Sequence, residues 1–404
     1  MSDIEKKPSK WFALLLAVCT MVGPFAANAY QPGFLLMGEE LGISRAAVQQ
    51  TLSIYLISYA CGSLFIGSVS DAYGRKRVLV LGLLFFAVAS LTASFANSFE
   101  MLIICRIFMG LGVSVGQVLA LAITRDYFKG RQAQEMTASI AMIFALAPAI
   151  SPVIGGWLVE WQGWRSVFVF LAILSASIST IGFIFLKESL PPEKRVPFSP
   201  VYLAKSYFRV LRNPAFVAGV VAHGFLFMGS ILFAAGAADF VMNVMGMGVT
   251  DFGYLMFPLI GVGVVGASMS TRFVDRFGEK GAMRLHVIVL ITMAIIGCFL
   301  NYRFDLGWPW LLVPAMVYSF AMAALRPLMS VYNMDYYPKN RGLAASIQQS
   351  LQTLSFATCA GVLVPLIMGQ GWMYYLVLVG SSLCVASLWM ISLKLRPKYL
   401  PKED

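Results

Sequence analysis

Apolar residues run along this chain in long blocks closed by short polar clusters, and they seldom alternate with polar ones. Each block is roughly the 20 residues a helix needs to cross about 30 Å of hydrocarbon. A lone strand in lipid would leave its backbone groups unpaired, so the blocks predict helices. Expected spans cover 11–37, 46–67, 78–95, 101–123, 133–159 and 167–186. After a longer polar stretch come 215–241, 252–271, 283–300, 308–330, 342–368 and 373–393. The expected fold class is an all-α membrane protein of twelve transmembrane helices in two pseudo-symmetric six-helix bundles. The polar stretch 187–213 holds Pro191, Pro192, Pro197 and Pro200 and reads as a linker with a short amphipathic helix near 202–211. Residues 1–186 then form an N-terminal bundle and 214–404 a C-terminal one. Lys6, Lys7 and Lys10 precede an apolar run through Ala27-Asn28-Ala29, a pattern shared with signal peptides. The run continues to Met37, so an uncleaved first helix is expected.

Composition agrees with the pattern. Of 404 residues, 59% are hydrophobic and 12% charged, against about 25% charged in soluble domains. The net charge of +11 would admit a nucleic-acid partner, but its distribution argues against one. With both termini on one side of the membrane, the opposite loops hold Arg45, Arg165 and Arg303, and the spans hold Arg106 and Arg326. All the rest of the 30 Lys and Arg residues fall on the side of the termini. Positive loops mark the cytoplasmic face, so both termini are expected in the cytoplasm. The six cysteines sit inside apolar blocks with no C-x-x-C pair, and there are two histidines. No metal site, cofactor or disulfide framework is expected. An enzyme is not expected either: no H-E-x-x-H, no Ser/His pair in adjacent spans and no paired intramembrane aspartates occur.

The halves echo one another. After the second span comes Gly67-Ser68-Val69-Ser70-Asp71-Ala72-Tyr73-Gly74-Arg75-Lys76-Arg77; after the eighth comes Asp275-Arg276-Phe277-Gly278-Glu279-Lys280. Asp71 and Asp275 stand 204 positions apart, as do Gly74 and Gly278. Equal offsets in corresponding loops indicate a parallel repeat. Glycine suits the tight turn between helices, and the basic residues suit an anionic membrane face. The aspartate is placed to cap a neighbouring helix N-terminus. Gly261-Val262-Gly263-Val264-Val265-Gly266 matches a dinucleotide fingerprint by letters alone. That fingerprint needs a strand before it, and this stretch lies inside a span, where it reads as close helix packing.

The first loop resembles the G-x-x-x-D-x-x-G-R-K/R signature of the major facilitator superfamily, and the likeness covers essentially the whole chain. Arg106-Ile107-Phe108-Met109-Gly110-Leu111-Gly112 matches that family's R-x-x-x-G-x-G in the fourth helix. Ala147-Pro148-Ala149-Ile150-Ser151-Pro152-Val153-Ile154-Gly155-Gly156-Trp157 resembles the fifth-helix motif of drug/proton antiporters, with Ala-Pro as in the bicyclomycin/chloramphenicol-resistance branch. Pro148, Pro152, Gly155 and Gly156 carry that match. The resemblance implies a cytoplasmic latch of Asp71, Gly74, Arg75 and Asp126, with Asp275 and Gly278 as its C-terminal echo. It also implies a monomer in the bacterial inner membrane.

Ionisable groups inside the bilayer cost roughly 2.5–3.5 kcal/mol at a helix centre and mark function. Arg106 is the firmest case. The resemblance gives it influence over a protonating acid or contact with substrate; the alternative is a structural donor to helix carbonyls. Arg326, in the tenth span, would attract a carboxylate or phosphate, or else snorkel to the surface. Asp239 is the candidate proton-binding carboxylate, its alternative being a solvated helix end. His223 is a second polar group in the same span. Relatives in the drug-export branch carry an acid two residues before Tyr-x-Pro, where this chain has Asn28. Asn28, Tyr30, Gln31, Tyr55, Tyr59 and Gln117 are expected cavity groups in the first half. His223, Arg326, Gln348 and Gln352 are expected in the second, with Gln349 beside them.

The expected function is a proton-coupled exporter of small organic molecules, working by alternating access. The partners are a small-molecule substrate, protons and the lipid bilayer, with no nucleic acid. The competing expectation is a transporter of an anionic metabolite or siderophore that uses its intramembrane arginines.

Overall fold

The computed structural model describes residues 10–128, 130–248, 250–304, 306–337 and 341–399. Lys6, Lys7, Lys129, Lys339 and Lys402 of the loop charges lie outside the described residues. Among the described residues every element is a helix. The chain divides into two compact units, the first ending at Pro200 and the second beginning at Val201.

The first unit holds α1 (Lys10–Asn28), α2 (Phe34–Leu41), α3 (Arg45–Tyr73), α4 (Arg75–Ser94), α5 (Phe99–Val113), α6 (Val115–Tyr127), α7 (Gly130–Gln162) and α8 (Arg165–Phe185). α9 (Pro200–Leu211) follows, where the linker was expected to carry its short helix. Then come α10 (Pro214–Ala235), α11 (Ala237–Asp239), α12 (Phe252–Arg303), α13 (Val313–Met334), α14 (Arg341–Thr358), α15 (Val364–Ile367) and α16 (Gly371–Tyr399). Ten helices among the described residues are long and apolar enough to cross a membrane. One of them, α12, runs 52 residues but leaves helical geometry at Gly278 (φ 66°), so it is two helices joined at a kink. α7 is a 33-residue helix with Pro148 and Pro152 inside it.

Local chemistry sets the starts. Ser44 Oγ accepts from the Ala47 amide at 3.2 Å and Ser98 Oγ from the Met101 amide at 3.2 Å. Asn213 Oδ1 accepts from the Ala215 and Phe216 amides, both at 3.1 Å, with Pro214 at the first helical position. Each cap satisfies amides that have no partner inside the helix.

Four spans expected to be continuous are interrupted. In the first, α1 stops at Asn28, a 3-10 turn covers Gln31–Gly33, and α2 follows. Pro32 brings no N–H to continue the ladder. Trp164 packs against Gly33, where an added Cβ would stand 2.7 Å from the Trp164 Cβ. In the fourth span, Ser114 separates α5 from α6. The seventh and eleventh contain π turns at Phe240–Val244 and Cys359–Leu363. Such turns insert one residue into the helical ladder and recur at functional sites.

Small polar groups hold neighbouring helices together. In the first unit Ser90 Oγ donates to the Phe168 carbonyl (2.9 Å), Ser175 Oγ to Leu83 (2.8 Å) and Ser179 Oγ to Val80 (2.8 Å), joining α4 to α8. In the second, Ser381 and Ser392 of α16 donate to the Phe225 and Ala215 carbonyls of α10 at 2.6 and 2.8 Å. Lipid provides no hydrophobic drive between helices, so close packing and bonds of this kind hold them. Leu81, Phe85, Val88 and Leu91 of α4 and Phe183, Ile184 and Phe185 of α8 stand exposed. Apolar surface of that extent suits lipid and not water.

Gly155 of α7 sits directly on the break in α1, and an added Cβ there would overlap the Ala29 carbonyl. Gly261, inside the discounted G-x-G-x-x-G, has open space where a Cβ would go. Gly155→Ala should therefore destabilise the protein by about 1–3 kcal/mol, and Gly261→Ala by far less. Thermal unfolding of the purified variants in detergent checks this; equal melting temperatures would contradict the packing described.

Candidate functional site

Ending α1 at Asn28 leaves its last carbonyls without the amides of another turn. Side chains take over. Gln31 Nε2 donates to the Ala27 carbonyl at 3.3 Å and to Asn28 Oδ1 at 3.1 Å, and Asn28 Nδ2 folds back to the Pro24 carbonyl at 2.7 Å. Arg106 of α5 reaches across and donates Nη1 to the Ala26 carbonyl at 3.2 Å. Its Nε donates to the Thr51 carbonyl of α3, also at 3.2 Å. The guanidinium carbon lies 4.1 Å from the Tyr30 ring centroid and 4.3 Å from that of Tyr55.

Arg106 is fully buried, and no described acid pairs with it. A lone buried ion costs several kcal/mol. Two aromatic faces, each contributing about 0.5–2 kcal/mol, and the negative end of a helix dipole offset part of that cost. Nη2 has no partner among the described residues. Tyr30 Oη shares a hydrogen bond with Thr51 Oγ1 (3.0 Å), and Tyr55 Oη donates to the Gly23 carbonyl (2.9 Å). The sequence-expected Asn28, Tyr30, Gln31, Tyr55 and Arg106 thus form one cluster. Tyr59 donates to Gln117 Oε1 at 2.9 Å as a separate pair. Thr51 belongs to the cluster but was missed, since a threonine inside an apolar helix carries no sequence signal. In α7, Pro152, Gly155 and Gly156 are buried and Pro148 is partly exposed.

A second cluster forms at the α3–α4 turn. Arg75 pairs with Asp71 at 2.7 Å and with Asp126 at 3.3 Å, and its Nη1 donates to Ser70 Oγ at 2.6 Å. The Arg75 amide donates to Glu188 Oε1 at 2.9 Å, and Ser189 Oγ donates to Asp126 Oδ2 at 2.8 Å. Gly74 has φ 98°, and an added Cβ would lie 2.5 Å from Glu188 Oε2. Glu188 and Ser189 were not foreseen; they bring the first linker residues onto the turn. In the second unit Gly278 keeps the positive φ, but Asp275 is exposed and has no partner among the described residues. The acid at the end of α13, Asp335, pairs instead with Arg396 of α16 at 3.1 Å.

The second unit gathers its own polar groups. Gln348 Nε2 donates to Ser330 Oγ at 2.8 Å, and Asn333 Nδ2 donates to Gln348 Oε1 at 3.2 Å. Gln352 lies one turn further along α14 and is buried. His223 is buried with both ring nitrogens unpartnered. Arg326 lies with its guanidinium carbon 4.9 Å from the centroid of the Phe227 ring, one helical turn along α10 from His223. Asp239 is buried and receives several hydrogen bonds. Asn243 Nδ2 donates at 2.7 Å, Tyr374 Oη at 2.9 Å, and the Gly369 amide at 3.1 and 3.0 Å to the two carboxylate oxygens. Asp239 therefore clamps the end of α11 to the turn that opens α16.

Membrane-length helices in two units, each with an arginine inside a span and no acid paired to it among the described residues, define a polytopic membrane protein. The chain belongs to the Major Facilitator Superfamily, whose family model matches residues 16–311. It is 26% identical over 306 residues to a bicyclomycin resistance protein homolog of Haemophilus influenzae, covering 76% of this chain and 77% of that one. It is 27% identical over 351 residues to multidrug resistance protein D of Escherichia coli, covering 86% of this chain and 87% of that one. In fold it is similar to a crystal structure of a bacterial homologue of the human lysosomal transporter Spinster. The TM-score is 0.73 at 14% identity, with 99% of this chain and 100% of that one covered.

The Arg75–Asp126 pair is partly screened, with side-chain exposures of 12% and 22%. A double-mutant cycle of Arg75→Gln and Asp126→Asn, read by thermal unfolding, should give a coupling of about 1 kcal/mol.

Proposed function

We propose that this chain is a proton-coupled exporter of small organic molecules in the bacterial inner membrane. Its twelve spans form two six-helix bundles joined by the linker 187–213, with both termini in the cytoplasm. It works by alternating access. The observation that carries this reading is the likeness to multidrug resistance protein D over 86% of the chain. The bicyclomycin resistance homolog adds to it. Arg106, Tyr30, Tyr55, Asn28 and Gln31 meet, buried, at the break in α1; they face substrate only in a state where the helices around them part, and the apolar side chains nearby suit lipophilic substrates. The Arg75 cluster is the latch that holds the α3–α4 turn in one of the alternating states.

Asp239 is the carboxylate that carries the proton. Among the described residues it is the one buried acid. Each hydrogen bond drawn to it needs an acceptor. Protonation replaces one acceptor lone pair with a donor, which releases Tyr374 or the Gly369 amide and frees the end of α11 from α16. Coupling then works by loosening and remaking this clamp.

Sealed liposomes with an imposed proton gradient and tritiated chloramphenicol test the reading. Wild type should accumulate the drug against its gradient. Asp239→Asn should lower that accumulation by at least about tenfold while retaining drug counterflow in the absence of a proton gradient. Loss of both would make Asp239 a structural clamp only. Wild-type flux that ignores the proton gradient would remove the coupling altogether.

A further inference from the structure

The two arginines inside spans are not equivalent. Arg106 spends Nε and Nη1 on carbonyls and lies close to the Tyr30 and Tyr55 rings. Arg326, which is partly exposed, makes no hydrogen bond and no ion pair among the described residues; its guanidinium lies against the Phe227 ring. A guanidinium has five N–H donors in a planar fork and keeps its charge under all ordinary conditions. Leaving all five unused within a span is costly unless water or a ligand takes them.

A second group beside Arg326 lacks a partner. His223 is 1% exposed and neither ring nitrogen is hydrogen-bonded. His223 and Phe227 stand four residues apart on α10 and so share one face. That face meets Arg326. In either neutral tautomer the ring has one N–H to donate. Three side chains from α10 and α13 therefore converge with unused donors and an aromatic floor.

Depth identifies what can reach them. His223 lies nine residues from the start of α10 and Arg326 eight residues from the end of α13. At 1.5 Å per residue both sit about 12–14 Å in, near the middle of a 30 Å hydrocarbon core. A lipid phosphate at the surface does not extend that far.

The geometry points to Arg326, His223 and Phe227 as a binding site for the anionic end of a substrate, namely a monocarboxylate carried on an aromatic body. The carboxylate takes the guanidinium fork in bidentate fashion and a third bond from the His223 ring. The aromatic body packs on Phe227. One charge is specified because the site holds one cation and no second counter-charge; a dianion would leave a charge unbalanced at this depth. This site rests on the reading of the chain as a transporter of small organic molecules and narrows its substrates to include aromatic monoanions.

Equilibrium binding tests the site without any proton gradient. The probes are radiolabelled 1-naphthoate and its uncharged counterpart 1-naphthamide, on purified protein in dodecyl maltoside. Wild type should prefer naphthoate. Arg326→Gln should reduce that preference at least about tenfold, Arg326→Lys should keep part of it, and His223→Phe should lower it severalfold. A general loss of structure would weaken both probes together and leave the ratio alone. An unchanged ratio in Arg326→Gln, no preference in wild type, or displacement of naphthoate by phosphatidylglycerol would overturn the site. Failure of the export reading would show differently, as absent chloramphenicol flux in liposomes with the naphthoate preference intact.

Discussion

A cation buried in hydrocarbon must find electrons somewhere, and in the first unit Arg106 finds them in a broken helix. The break in α1 and the arginine solve each other's problem. Helix α1 ends with carbonyls that have lost their amides, and Arg106 arrives with donors and no carboxylate. The Tyr30 and Tyr55 rings lie close to the guanidinium, and Thr51 fixes Tyr30 through its hydroxyl. The rest of the unit is shaped by keeping this arrangement dry. Gly155 brings α7 onto Ala29 at the break, and Gly110 brings α5 against the Tyr55 carbonyl, where any Cβ would collide. The small residues of both motifs thus serve one purpose, which is to close protein around an ion that lipid cannot solvate.

The repeat preserves shape more faithfully than charge. Gly74 and Gly278 both take positive φ, so both halves turn at the same place. Among the described residues the ion cluster is built at the first of these turns. Arg75 draws in Asp71, Asp126, Ser70 and, through its amide, Glu188. In the second half the terminal acid of α13 is claimed by Arg396, whose guanidinium also lies 3.6 Å from the Tyr332 ring centroid. A turn is set by backbone sterics, which glycine alone satisfies. An ion pair depends on which long side chain reaches the acid, and that is free to differ between repeats.

That distinction governs how much was legible in the sequence. Periodic apolar blocks, loop charges and the glycines of the turns are properties of single segments, and these expose the membrane helices and the family. The candidate site is made of breaks and encounters. Nothing in Ala27-Asn28-Ala29 marks a helix end; the end follows from Pro32, about one turn further on, and from Trp164 packing on Gly33. Thr51, Asn333 and Tyr374 read as ordinary helix residues until their partners arrive from elsewhere in the chain. Asp239 was legible as an intramembrane acid, but its clamp on Gly369 joins residues 130 positions apart. Glu188 lay in a stretch read only as linker.

Satisfied and unsatisfied polar groups divide the interior into scaffold and candidate ligand sites. Gln348 is held by Ser330 and Asn333, and Asp239 by Asn243, Tyr374 and Gly369. Groups so engaged must break protein bonds before they can bind anything, so they are suited to switching between states. Arg326 and His223 have no such bonds to lose among the described residues. For a transporter this difference has kinetic weight. A substrate that binds free donors leaves without disturbing the fold, whereas a proton that lands on a clamped carboxylate must rearrange it. The proposed binding and coupling groups then sit in the same unit and are chemically separate, the one on unused donors and the other on a fully engaged acceptor.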